Sequence, residues 1–275
     1  MKIFFVVVIT LVLFRVYFIF LEQKSLYYPA VEVSETPAEV GIGYEELSFK
    51  TSDGEILNGW YVPAKDAETT VLYCHGNAGN ICHRLHKVKF FNEMGVNFFI
   101  FDYRGYGKSS GRPGEKGLYN DAIAAFDYLM SRKDVDKSKI VMYGKSLGGP
   151  IAAEVCLRRK VSALILESSF ASVVIRAQQI YPFLPMKFLI SQKYDALDKI
   201  KNIDIPKLIV HGRNDEVIAF NHGQILFDAA GEPKQFLPFE GGHNDEVYVT
   251  SDEYRKKLEE FFAQARITHM GTSKQ

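Results

Sequence analysis

Ser146 stands in the run Gly144-Lys145-Ser146-Leu147-Gly148, preceded by the apolar KIVMY and followed by GPIAAEVCLRR. A strand, a sharp turn and a helix in that order lift a serine hydroxyl above a sheet, and flanking glycines let the backbones pass closely. The amino end of the following helix favours negative charge developing there. A serine hydroxyl is a weak nucleophile until a base takes its proton. Of the seven histidines, His243 in GGHND follows the last predicted strand, and Gly241 and Gly242 let the chain turn there. The imidazole needs a further group to hold its tautomer and stabilise the imidazolium. Asp215, in HGRNDEV, also lies just past a predicted strand end. Ser146, Asp215 and His243 therefore form the predicted catalytic set for nucleophilic attack on a carbonyl.

Other polar residues receive plainer roles. Glu216 and Asp245 are acidic neighbours of that set, and Asp245, which follows the histidine, is read as a turn support. Asp102, in FDYRGYG, is read as structural, pairing with Arg104 or accepting from loop amides. His75 and His211 close strands and are read as loop braces. Cys82, His83 and His86 share a helix face, but no second ligand cluster accompanies them, so no metal site is expected. Gly107-Lys108-Ser109 and Gly144-Lys145-Ser146 both contain GK[ST], yet Asp102 and Lys139 occupy the position where a phosphate-binding loop needs glycine. No metal, nucleotide or redox cofactor is expected.

These residues must be positioned by alternating elements. Runs at 70–74, 97–102, 139–144, 162–168, 207–212 and 234–239 are short, mostly continuous apolar stretches, as in strands covered on both faces. Segments 80–94, 117–132, 147–159, 219–230 and 251–265 have helical length between and after them. Leu118, Ala122, Ala125, Phe126 and Leu129 repeat at three and four. Tyr44 to Thr51 and Glu55 to Val62 flank Asp53-Gly54, a hairpin signal for two antiparallel strands. The predicted class is α/β, a mostly parallel eight-stranded sheet with helices on both faces, whose function sits at the carboxyl ends of its strands. Residues 168–200 interrupt the alternation. Pro182 and Pro185 break AQQIYPFLPMKFLI, which reads as a small cap whose apolar face could line a substrate pocket.

The chain has 275 residues, 47% hydrophobic and 24% charged, which fits a folded domain and excludes wholesale disorder. Its 33 basic and 33 acidic side chains cancel, so it lacks the basic field a nucleic-acid partner requires. Three cysteines, Cys74, Cys82 and Cys156, do not make a disulfide framework. Ile3 to Leu21 reads IFFVVVITLVLFRVYFIFL, about 28 Å as a helix and close to a bilayer core of about 30 Å. No small-x-small cleavage site follows it, so a retained single-pass signal anchor over 1–21 is expected, with Arg15 snorkelling to the interface. Lys2 lies on one side of the span and Arg15 and Lys24 toward the other, so charge bias does not choose an orientation. Residues 22–43 read as a tether, 44–267 as the main domain and 268–275 as a tail.

Residues from about Tyr44 to Ile267 resemble the α/β-hydrolase superfamily, nearest its membrane-anchored branch of serine-aminopeptidase-like hydrolases and lipid-cleaving abhydrolases. The resemblance rests on YCHGNAGN (73–80), FDYRGYGKSSG (101–111), YGKSLGG (143–149), HGRNDEVI (211–218) and GGHND (241–245). It implies a Ser146–Asp215–His243 triad and an α/β-hydrolase fold. An oxyanion hole takes one N–H from the residue after the nucleophile, Leu147 here, and one from the loop after the third strand. The resemblance assigns the second to Asn77. The expected activity is hydrolysis of carboxylic ester or thioester bonds in a small-molecule or lipid acyl substrate near a membrane. A serine peptidase or aminopeptidase is the alternative enzyme, and a membrane-tethered binding module without activity is the alternative of another class.

Overall fold

The computed structural model describes residues 1–272. From the amino terminus run α1 (Lys2–Leu26), the two-residue strand β1 (Tyr28–Pro29), β2 (Glu45–Lys50), β3 (Ile56–Val62), β4 (Thr70–Cys74), the two-residue β5 (Ala78–Gly79), α2 (Leu85–Glu93) and β6 (Asn97–Phe101). Then follow α3 (Glu115–Ser131), β7 (Ile140–Lys145), α4 (Gly148–Arg158), β8 (Ala163–Glu167), α5 (Val173–Ile180), α6 (Met186–Leu189) and α7 (Ala196–Ile200). The chain continues through β9 (Lys207–Gly212), α8 (Asn221–Ala229), β10 (Lys234–Phe239) and α9 (Asp252–Thr272).

Eight strands form one sheet in the order β2-β3-β6-β4-β7-β8-β9-β10. The strand β3 runs against both neighbours, and the other pairings in this sheet are parallel. Alternation along each strand sends side chains into two cores. Leu72, Phe99, Met142, Leu164 and Ile209 meet Leu118 and Phe126 of α3, Ile151 of α4 and Leu226 of α8. Val71, Ile100, Val141, Ile165 and Val210 meet Val88 and Phe91 of α2 and Leu258 and Phe261 of α9. Each such buried side chain contributes about 1.5–3 kcal/mol, so both helical layers hold the strands rigidly. Parallel register puts Cys74 opposite Gly144, and Lys145 opposite Glu167, which pairs in turn with Val210. The residues just past that row, His75, Ser146, Ser168 and His211, share one edge of the sheet.

Four segments differ from expectation. Residues 80–94 divide into a 3-10 turn, Ile81–Arg84, and α2, because Asn80 caps the start by accepting the Cys82 N–H at 3.0 Å. The first helix continues to Leu26 instead of ending at 21, carrying a buried Glu22 with it. Residues 27–43 are not a free tether. Tyr28 and Pro29 pair with Ala78 and Gly79, and the Asn80 amide donates to the carbonyls of Ala30 and Glu32. The final helix runs through the expected tail to Thr272, and residues 273–275 lie outside the described residues.

The α1 helix is long and apolar enough to cross a membrane, and none of its apolar window is buried. Arg15 does not rely on snorkelling, since its guanidinium donates to the Leu189 carbonyl. The predicted cap is present as α5, α6 and α7. Its last helix packs through Ile200 on the core that holds α4.

Candidate active site

Ser146 has φ +53°, a conformation that costs a β-carbon-bearing residue of order 1–3 kcal/mol and persists only where its surroundings impose it. Those surroundings are backbones packed at the limit of contact. A β-carbon on Gly144 would lie 2.3 Å from the Gly148 carbonyl oxygen, and one on Gly148 would lie 1.9 Å from that of Cys74. Only glycine lets β4, β7 and α4 cross there. The elbow is also fixed by the Ser146 N–H donating to the Glu167 carbonyl at 2.9 Å, and by the Ser169 hydroxyl donating to the Ser146 carbonyl at 3.2 Å.

The chain ends of β9 and β10 cross in the same way. A β-carbon on Gly212 would lie 2.4 Å from the Gly241 carbonyl oxygen, and the Asn214 N–H donates to that oxygen at 3.0 Å. This close approach brings the Asp215 and His243 loops together, and His243 Nδ1 donates to Asp215 Oδ2 at 2.8 Å. In the neutral ring that bond places the proton on Nδ1 and leaves Nε2 as the acceptor. Asp215 Oδ1 accepts the N–H groups of Val217 and Ile218 at 2.9 and 2.6 Å. Burial raises the Asp215 pKa, but hydrogen bonds from His211 and His243 outweigh it and hold the carboxyl well below its usual range. Glu216, a rival acid by sequence, accepts the backbone N–H of His243 at 3.2 Å. Asp245 supports its turn by accepting the Tyr248 N–H at 3.1 Å.

Ser146, Asp215 and His243 are 7, 8 and 7% exposed, all at the carboxyl edge of the sheet. Strand spacing of about 4.8 Å sets the ends of β7 and β9 roughly 10 Å apart. Among the described residues the Ser146 hydroxyl bonds to no protein group. Bonds of this kind are often long in an empty site and tighten with substrate.

The loop after β4 lies beside the serine: a β-carbon on Gly76 would sit 3.7 Å from that of Ser146. The Asn77 carbonyl accepts from the Tyr28 N–H at 3.0 Å and the Tyr106 hydroxyl at 2.8 Å, so its peptide plane is held from two sides. Among the described residues neither the Asn77 nor the Leu147 N–H donates to a protein acceptor, and both remain available to a ligand. The strap through Tyr28 thus helps position this loop.

His75 and His211 brace loops, through Gly76 O at 2.7 Å and Ile218 O at 2.9 Å. Arg104 pairs with Asp53 and Asp121, and Asp102 instead accepts the Ile81 N–H at 2.9 Å, the loop-amide half of the expectation. Burial pushes Asp102 up to about 7 from 3.8. Between those values the folded protein keeps a proton that the unfolded chain releases, so this group subtracts stability as pH rises. Asp102→Asn, which cannot ionise, should gain on the native chain in urea midpoint between pH 4 and 8 (roughly the span of the two pKa values). A constant difference across that range rules out a titrating Asp102.

A cluster beneath the elbow carries no signal in the sequence. Glu167 pairs with Lys87 at 2.7 Å and with Lys145 at 3.0 Å, and it also accepts from the Tyr143 hydroxyl. Burial works to raise the Glu167 pKa, but the charges of Lys87 and Lys145 overcome it and hold the carboxyl below the usual range. Burial lowers Lys87 to about 8.

The fold and this edge define the class: a doubly covered sheet carrying a strained serine turn and a bonded acid–imidazole pair. The family described as serine aminopeptidase, S33, matches residues 65–193. The α/β hydrolase domain-containing protein WAV2 of Arabidopsis thaliana is 34% identical over 258 residues, covering 84% of each chain. Protein bem46 of Schizosaccharomyces pombe is 33% identical over 265 residues, covering 90% of this chain and 88% of that one. Among solved structures, an esterase of Pyrococcus furiosus superposes with a TM-score of 0.71 at 18% identity, covering 87% of this chain and 98% of that chain. The chain belongs to the α/β-hydrolase superfamily.

Proposed function

We propose that this hydrolase cleaves carboxylic ester or thioester bonds of small-molecule or lipid-borne acyl groups, held at a membrane by α1 as a single-pass anchor. The observation that carries the reading is Ser146 at φ +53°, on the sheet edge that holds the bonded Asp215–His243 pair. In the proposed reaction His243 Nε2 takes the hydroxyl proton as Ser146 Oγ attacks the acyl carbon. The resulting oxyanion accepts from the Leu147 and Asn77 N–H groups, each such donor being worth about 2.7–4 kcal/mol of barrier lowering. Collapse breaks the acyl bond, and the imidazolium returns its proton to the leaving alcohol or thiol. Water, deprotonated by His243, then hydrolyses the acyl-enzyme and restores the serine. Asp215 orients the imidazole and stabilises its cationic form.

The matched family's description favours a peptidase as the second reading, and one set of assays separates the two. The full chain in detergent is incubated with a fluorophosphonate probe and assayed on acetyl and octanoyl p-nitrophenyl esters and on aminoacyl anilides. The expected result is labelling at Ser146 with octanoyl esters turned over at least as well as acetyl. Anilide cleavage without ester turnover makes the protein a peptidase. Absence of both labelling and turnover makes it a binding module.

A further inference from the structure

One face of α1 is not built for lipid. Arg15, Phe18, Glu22 and Leu26 follow at spacings of three and four, which aligns them along the helix. Phe18 and Leu26 pack against the core. Glu22 is buried, and its carboxylate accepts the backbone N–H groups of Ser191 and Gln192 at 2.9 and 2.7 Å and also the Ser191 hydroxyl. Arg15 donates to the carbonyl of Leu189. Just past the helix, Tyr27 reaches Gln192 and meets the Tyr194 hydroxyl at 2.6 Å.

These clamps set a direction. Arg15 and Glu22 are about 10 Å apart along the helix, and Leu189 to Gln192 spans up to about 10 Å of extended chain. This cap segment therefore runs alongside α1, and passing from Gln192 back to Leu189 moves toward the apolar middle of the helix. Leu189 is held by the side chain of Arg15, whose backbone lies about 9 Å inside the end of the apolar run at Leu21. The cap segment before Leu189 is the part that exposes large apolar side chains: Phe183 is 97% and Phe188 79% exposed, with Ile180, Tyr181 and Leu184 also outside. From Ser168 to Tyr194 the chain carries Arg176, Lys187 and Lys193 and no acidic residue.

We propose that the α5–α6 hairpin of the cap is a second membrane contact, with Phe183 and Phe188 entering the leaflet beside α1 and the cap's cations facing anionic headgroups. The occupant is a bilayer because the clamp fixes the hairpin at the depth of α1's own apolar residues. Its charge matches an anionic surface, each basic side chain near which contributes about 1 kcal/mol. The proposal rests on α1 spanning the bilayer.

The test uses the full chain reconstituted in vesicles containing anionic lipid, with and without bromine on the acyl chains. Native Trp60 is buried in the body and reports the background. Phe183→Trp and Phe188→Trp should lose emission in brominated vesicles to an extent comparable with Phe14→Trp on α1, with the native chain unaffected. Quenching at position 14 with neither cap tryptophan above background overturns the cap contact and leaves the anchor standing, as when a second copy of the chain covers the hairpin. No quenching at position 14 overturns both.

Discussion

Ser146→Ala is expected to fold like the native chain and to lose about 10⁶-fold in kcat on any ester the protein turns over. The two halves of that expectation have separate causes. The hydroxyl makes no hydrogen bond to the protein among the described residues, and the backbone at φ +53° is imposed by glycine-limited crossings that alanine leaves in place. Stability should therefore stay within about 0.5 kcal/mol of native. Activity falls because no other group stands at the elbow to form the acyl intermediate. Thermal midpoints check the first half, and turnover with fluorophosphonate labelling checks the second. A labelled, active Ser146→Ala at native stability would end the case for this nucleophile. Asp215→Asn is the companion, with about 10⁴-fold lost in kcat, since an amide no longer holds the Nδ1–H tautomer of His243.

Glu167→Gln should destabilise the fold by about 3–5 kcal/mol, the range for removing one member of a buried ion pair. Glu167 is 1% exposed, and its carboxylate is the anion shared by Lys87 and Lys145. A neutral amide leaves two buried cations with no counter-charge, one of them adjacent to Ser146. Because the carboxyl is held below its ordinary value of 4.5, its contribution is complete above that pH and is lost as pH falls through the folded value. The deficit in urea midpoint should therefore be flat from neutral pH down to about 5 and shrink only below it. Lys87→Met combined with Glu167→Gln removes one stranded cation and should lose less than the sum of the single changes. Additive losses would show that the charges do not interact. An unaltered midpoint in Glu167→Gln would show that water, not Lys87, neutralises the carboxylate.

The sheet was legible because strands buried on both faces read as continuous apolar runs. The runs at 70–74, 207–212 and 234–239 match β4, β9 and β10 residue for residue. Boundaries slipped where a local cap decided them, as at Asn80. The chain order of Ser146, Asp215 and His243 was equally plain, because a strand end is a local signal and this sheet puts its strand ends on one edge. Among the expected pairings, Arg104 turned from Asp102 to Asp53 and Asp121, since a guanidinium fork takes whichever carboxylates the packing brings alongside.

By itself the sequence determined the alternation of strand and helix, the apolar amino-terminal span and the three polar residues at strand ends. Each of these is encoded within a few neighbouring positions by periodicity, turn chemistry or apolar length. Only the tertiary structure decided that Glu22 and Arg15 grip the cap, that Tyr28 holds the Asn77 peptide, and that Glu167 neutralises two lysines under the elbow. Those contacts join segments 22 to 174 residues apart. A buried charge has no local signature, because what satisfies it is whichever distant partner the packed chain delivers.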